Sequence, residues 1–215
     1  MVDASIHAAP SSAALKIRRA KPSDFDAIRQ NHARTFHEHR EREPDFDADA
    51  PFIDDYLSEI AQPFDWIRGA FKKERPFGLV AEIDGSTIGH IVYMRYSNSL
   101  GPYAAVIADI SIDPSHRGAG IGRKLIQDME RREARDGVTS FAATVWPYNT
   151  ASQDMFSALG YTPFESREGQ DDPQQLLNKT IEFGTLPMAV ILVKSAVLTF
   201  LVIAVLYRLA MVTFT

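Results

Sequence analysis

The chain has 215 residues, enough for one medium domain plus an added element and too few for two full enzyme domains, since domains cluster at about 100 to 150 residues. A charged fraction of 24% and a hydrophobic fraction of 45% exclude collagen-like, low-complexity and wholly disordered chains and leave room for a packed core. A net charge of -5 has the wrong sign for a protein that coats nucleic acid, and the absence of cysteine removes disulfides, thiol nucleophiles and Cys-ligated metals, so a cytoplasmic working domain is expected.

Residues 1–14 are rich in Ala and Ser, carry Asp3 where an export signal would be basic, and read as a disordered leader. Leu15 to Ala20 reads as a short strand. Pro22-Ser23-Asp24 is a helix-start signal, with Ser23 or Asp24 able to accept orphan amide hydrogen bonds, and the helix should run to about Arg40. Pro44 ends it. The carboxylate-rich stretch from Glu41 to Asp65, with Phe52, Ile53, Tyr56, Leu57 and Ile60 among its acids, reads as a loop and a second amphipathic helix with a solvated acidic face, the alternative being a face that attracts a cationic amine.

Two strand-like runs then flank Asp84-Gly85, a hairpin signal because both turn positions tolerate positive φ. Ala104 to Ile112 is a third, largely apolar strand expected to be buried on both faces. A glycine-rich turn leads into a helix from about Gly120 to Arg135 with Ile121, Leu125, Ile126 and Met129 facing a core. A strand at Val138–Trp146, a helix at about Thr150–Leu159 closed by Gly160, and two last strands split by GQDDP complete the order. Mixed alternation of this kind implies an α/β or α+β domain over residues 15–183 with a mixed sheet.

The segment with most chemistry in it is ISIDPSHRGAGIGRKLI, a strand, a glycine turn and a helix in immediate succession. Such a construction aims several backbone N–H groups at an anion. Gly118, Gly120 and Gly122 remove obstructing side chains, and the helix N-terminus adds positive potential, so phosphate or pyrophosphate is the expected ligand. The turn is not a Walker A loop, for it lacks a Gly-Lys-Ser/Thr ending.

RGAGIG (Arg117 to Gly122), preceded by a strand ending Ile112-Asp113-Pro114, resembles the acetyl-CoA pyrophosphate loop of the GNAT superfamily of N-acetyltransferases. Downstream, NTASQDMFSALGY (Asn149 to Tyr161) is similar to that family's second hallmark. The resemblance implies a GNAT-like acyl-CoA-binding fold of about seven strands and four helices. It also implies transfer of acetyl from acetyl-CoA to a primary amine, by direct attack in a ternary complex and without a metal. Backbone amides at Arg117, Gly118, Ala119, Gly120, Ile121, Gly122 and Arg123 would hold the pyrophosphate. The strand at Ile110 and Ile112 would pair with the pantetheine arm, and Asn149, Ser152 and Phe156 would contribute from the second motif. Asp109 stands at the position often used to take or relay the amine's proton, although a plain structural carboxylate is the alternative. Phe156 departs from the Tyr that many members use to protonate the leaving thiolate. That departure keeps open a CoA-binding regulatory module without turnover, and transfer of a longer acyl chain is a further alternative. The acceptor would be a small-molecule or peptide amine, nucleic acid is not expected as a partner, and a homodimer is allowed for.

His32, His37 and His39 lie close together on the first helix but form no HExxH pattern, so they read as part of a solvated helix and no metal site is expected. Trp66 and Trp146 read as core anchors.

After a linker at residues 184–187, residues 188–215 are apolar enough to cross about 30 Å of hydrocarbon as a helix. A central Lys costs about 2.5 to 3.5 kcal/mol on an insertion scale, and Lys194, which sits towards one end, can snorkel and reduce that cost. The twelve Leu, Ile, Val and Phe residues between Ala189 and Tyr207 each return about 0.3 to 0.6. The expectation is a single-pass C-terminal anchor in a lipid bilayer, with the catalytic domain on the cytoplasmic side.

Overall fold

The computed structural model describes residues 14–40, 52–61, 74–98, 101–164 and 175–181. Among them are seven strands and four α-helices: β1 (Lys16–Arg19), α1 (Phe25–Arg40), α2 (Phe52–Ile60), β2 (Glu74–Ile83), β3 (Ser86–Asn98), β4 (Gly101–Ile112), α3 (Ile121–Asp136), β5 (Ser140–Val145), α4 (Thr150–Ser157), β6 (Thr162–Pro163) and β7 (Gln175–Thr180). The strands form one mixed sheet in the order β1-β2-β3-β4-β5-β7-β6, as an α/β reading of the sequence requires. The proposed linker and apolar tail lie outside the described residues, as do Trp66 and most of the acidic stretch. No described helix is long and apolar enough to cross a membrane.

The chain divides into two compact units. The first comprises Met1–Ala70, Pro76–Met94 and Ile107–Met129; the second comprises Phe71–Arg75, Arg95–Val106 and Glu130–Thr215.

In the first unit, β1 pairs antiparallel with β2 from Lys16↔Glu82 to Arg19↔Leu79. The β2–β3 hairpin turns through Asp84 and Gly85, both at positive φ (49° and 79°), as the Asp-Gly pair predicts. α2 buries Ile53 and Leu57 and half-buries Tyr56 and Ile60, the i, i+3, i+4, i+7 stripe of an amphipathic helix, while Asp54 and Asp55 stay exposed. That stripe packs with Phe25 and Ile28 of α1 on Val80 and Val92. Each such large side chain removed from water contributes about 1.5 to 3 kcal/mol. At the start of α1, Asp24 accepts the Lys21 amide at 2.8 Å and both Arg18 nitrogens at 2.6 and 2.8 Å, so the expected cap residue also anchors β1.

β4 differs from its reading as a strand buried on both faces. Ala105, Ile107, Asp109 and Ser111 are buried, whereas the alternate residues, from Ala104 to Ile112, are only half-buried. The apolar run hides a period of two, and two of its four fully buried positions are polar.

In the second unit, β5 pairs antiparallel with β7 from Ser140↔Thr180 to Val145↔Gln175, and β6 pairs with the other side of β7. Ala105, Val138, Phe141, Ala143, Val145, Phe156, Leu159, Tyr161 and Leu177 form its buried apolar set among the described residues. Trp146 is half-buried and stacks on Tyr148 at 5.7 Å, a lighter role than the core anchor expected of it.

Candidate functional site

The glycine turn lies in the first unit. Asp113 at the end of β4 donates its amide to Ile88 of β3 at 2.9 Å, and its carboxylate accepts the Ser115 amide at 3.0 Å. A single 3-10 turn over Pro114–His116 follows. Arg117 then sends Nε back to the Ile112 carbonyl at 3.1 Å. Gly118 and Gly120 have φ of +77° and +74°, and a Cβ on either would meet nothing within 4 Å. These glycines are therefore required by backbone conformation, with open space in front of them, as in a cradle built for a ligand. α3 starts at once: Lys124 donates to the Gly120 carbonyl at 3.1 Å, which leaves the amides of Ile121, Gly122 and Arg123 without an intrahelical acceptor by construction. Ile121 and Gly122 are buried, while Arg117 to Gly120 and Arg123 are exposed.

Eight residues before Arg117, β4 buries Asp109. Its Oδ2 contacts His90 Nε2 of β3 at 2.6 Å and His32 Nδ1 of α1 at 3.0 Å, and its Oδ1 accepts the Ser111 hydroxyl at 3.1 Å. All three charged or chargeable side chains are enclosed, with relative exposures of 4% for Asp109, 5% for His32 and 0% for His90. Burial pushes the Asp109 carboxyl upward, but the electrostatic pull of His90 and the hydrogen bonds from His32 and His90 prevail and hold it well below the usual carboxylate range. His90 Nδ1, on the opposite edge of its ring, is buried with no hydrogen-bond partner. His32 also lies against Phe36, with ring centroids 3.9 Å apart.

This cluster overturns the reading of His32 as part of a solvated helix; only His37 of the helix histidines with a described side chain is exposed. A signal for it was present. His32 stands four residues after Ile28 and seven after Phe25, on the buried stripe of α1, and a histidine there must find a polar partner. His90 escaped notice altogether, although it interrupts a continuous apolar run in β3, flanked by buried Ile88, Ile91 and Val92.

The second motif lies in the second unit. Asn149 caps α4, its Oδ1 accepting the Ser152 amide at 3.1 Å, and Ser152 is half-buried one turn into the helix. Phe156 is 2% exposed and meets Tyr161 edge-on at 5.0 Å. The Tyr161 phenol is pushed up by burial and further by the Glu130 carboxylate, whose other neighbour is Lys179 Nζ at 2.8 Å.

A family model described as "Acetyltransferase (GNAT) family" matches residues 26–161. The chain belongs to that family. Among its curated relatives are L-2,4-diaminobutyric acid acetyltransferases. The one from Nocardia farcinica is 37% identical over 82 residues, covering 38% of this chain and 41% of the relative. The one from Streptomyces avermitilis is 28% identical over 107 residues, covering 49% and 54%. The chain thus spans about half the length of the curated relatives it matches. Solved structures agree on the fold. The PaiA N-acetyltransferase of Thermoplasma acidophilum in complex with coenzyme A has a TM-score of 0.55 at 13% identity, covering 78% of this chain and 99% of that one. A GNAT-family acetyltransferase of Staphylococcus aureus Mu50 has a TM-score of 0.58 at 11% identity, covering 79% and 100%.

Proposed function

We propose that the protein transfers acetyl from acetyl-CoA to a primary amine, and that the acceptor is a short diamino acid of the 2,4-diaminobutyrate kind. The observation that carries the reading is the turn at Arg117–Arg123, where two left-handed glycines face open space and run directly into the N-terminus of α3. Family membership and the names of the curated relatives support the reaction and the acceptor class. In this reading the backbone of Arg117, Gly118, Ala119, Gly120, Ile121, Gly122 and Arg123 holds the pyrophosphate, β4 at Ile110 and Ile112 pairs with the pantetheine arm, and Asn149, Ser152 and Phe156 serve from the second motif. Asp109 belongs to the removal of the amine's proton, without which the nitrogen has no lone pair for attack. No group of three or more potential metal ligands occurs among the described residues.

The test is thiol release from acetyl-CoA with a panel of amines that includes 2,4-diaminobutyrate, together with calorimetry of acetyl-CoA binding to a Gly120→Asp variant. The variant should stay folded and lose affinity at least tenfold, because a side chain and a negative charge enter the anion cradle. Unchanged affinity would remove the turn from the site.

From the sequence we also propose that residues 188–215 anchor the enzyme in a bilayer with the catalytic part on the cytoplasmic side. Lys194 and Arg208 are 14 positions apart, within roughly 40° of one another around a helix, and define one polar edge able to snorkel. Truncation after Gly184 should move a folded, CoA-binding protein from the membrane fraction to the soluble one. A full-length chain that is soluble without detergent would defeat the anchor.

A further inference from the structure

Resting on the anchor reading of residues 188–215, we propose that the second unit has a face that docks on anionic lipid. The face comprises Arg131 and Arg135 of α3 and Tyr103 of β4, grouped where the chain leaves β7.

Hydrogen bonds fix the place of exit. Ile181, the last described residue, donates its amide to the Thr139 carbonyl at 2.8 Å, and Thr139 donates its own amide to the Tyr103 carbonyl at 3.2 Å. Tyr103 and Ile181 thus flank Thr139 on adjacent backbone segments, about 10 Å apart at the usual strand spacing. The end of α3 closes on the same spot. Gly137 donates to the Ala134 carbonyl at 3.1 Å and Val138 to that of Glu133 at 3.0 Å, so the helix stops just short of Thr139. A Cβ on Gly137 would stand 3.9 Å from the Pro102 carbonyl, next to Tyr103. From Ile181 to Met188 the extended chain spans at most about 25 Å. A tail inserted from Met188 onward therefore holds this end of the unit within that distance of the bilayer.

The chemistry of the face suits that place. Tyr103 is 46% exposed, an amphipathic ring of the kind that collects at the level of lipid headgroups. Arg131 and Arg135 are exposed one turn apart, with Arg132 half-buried between them. The acids of this helix half are held by cations from the sheet. Glu130 and Glu133 are buried, Glu130 accepts from Lys179 Nζ at 2.8 Å, and Arg95 Nη2 donates to both Glu133 and Asp136 at 2.8 Å. Arg95, Arg131, Arg132, Arg135 and Lys179 thus outnumber the carboxylates here, on a chain whose net charge is -5. An anionic surface is the partner that such an excess fits. Phe164 is as exposed as Tyr103, but it stands at the far end of β7, where its amide donates to the Leu176 carbonyl at 2.9 Å.

The chain has no cysteine, so Tyr103→Cys or Phe164→Cys gives a single attachment point for a fluorophore. The full chain carrying either label is mixed with vesicles of phosphatidylcholine alone or of phosphatidylcholine and phosphatidylserine in even mixture, each with a quencher on a fraction of the headgroups. Both labelled chains should sediment with both kinds of vesicle. The label at position 103 should be quenched on the mixed vesicles only, and the label at position 164 on neither. Adding Arg131→Gln and Arg135→Gln should leave sedimentation unchanged and lower the docked-to-undocked ratio about 25-fold, since each arginine near an anionic surface is worth about fivefold. Docking is overturned by a label at 103 that stays unquenched, by equal quenching at both positions, or by quenching that ignores the arginines or phosphatidylserine. Any of these in a chain that sediments leaves the anchor standing without the docking face. Sedimentation with the mixed vesicles alone, released by salt and with position 103 quenched, keeps the face and defeats the anchor. Sedimentation with neither defeats both.

Discussion

Arg18 holds both carboxylate oxygens of Asp24, at 2.6 and 2.8 Å, and turns its Nε to Glu82 at 2.7 Å. One guanidinium therefore ties β1 to the start of α1 and to β2. The guanidinium keeps the Asp24 carboxyl below its ordinary range, as the histidine pair does for Asp109. For both groups the folded-state value lies beneath the unfolded value of about 3.9. Their contribution is therefore complete above that value and is lost as pH falls through the folded one. Urea unfolding midpoints should be flat above about pH 5 and should fall on acidification. Asp24→Asn should lower the plateau by about 1.5 to 3 kcal/mol, the worth of a charged hydrogen-bond set, and make the acid slope shallower. A slope unchanged by the substitution would show that Asp24 does not contribute to the acid sensitivity.

Gly89 is required by close approach. A Cβ there would lie 2.6 Å from the Ile112 Cδ1 and 3.1 Å from the Ser111 carbonyl, beside His90 on one strand and Asp109 on the other. Gly89→Ala should cost about 1 to 3 kcal/mol, the typical penalty of overpacking. Adding Ile112→Val, which deletes the clashing methyl, should return part of it. Thermal melts of the single and double variants decide the point, and additive losses would contradict the contact.

Asn149→Ala should destabilise by about 0.5 to 2 kcal/mol through loss of the α4 cap, and Asn149→Ser should retain most of the stability. If Asn149 acts only as a cap, both variants should keep their acetyl-CoA affinity once folded. A drop in affinity with the melt unchanged would give the side chain a direct binding role.

Phe156→Tyr places a phenol oxygen in a position that is 2% exposed and already packed edge-on against Tyr161. Without a partner that oxygen costs about 1 to 3 kcal/mol. The variant should be less stable than the parent and should change turnover by no more than a few fold. A large gain in kcat would mean that thiolate protonation limits the native rate.

The elements that bury a clean periodic face were legible in the sequence. The Asp-Gly hairpin, the Ile53–Ile60 stripe of α2 and the Ile121–Met129 face of α3 all stand where their spacing puts them, and Gly118 and Gly120 adopt the left-handed geometry that makes a glycine turn informative. The histidine cluster was harder to read, because the place of His32 on the apolar stripe of α1 says only that it needs a polar partner, and that partner, Asp109, comes to it from 77 positions away. β4 misled for a related reason. Its apolar content masked an alternation that only the fold reveals, in which the polar residues are the hidden ones.

That separation gives the cluster a meaning during synthesis. α1 leaves the ribosome long before β4, so its polar stripe of Asn31 and His32 waits without the carboxylate it is made to meet. β4, once made, cannot bury Asp109 as an anion until α1 and β3 are both in place, since a lone carboxylate in that interior is too costly to enclose. The buried carboxylate and its two imidazole partners therefore certify a finished unit: the cluster comes into being only when distant parts of the chain have closed around it.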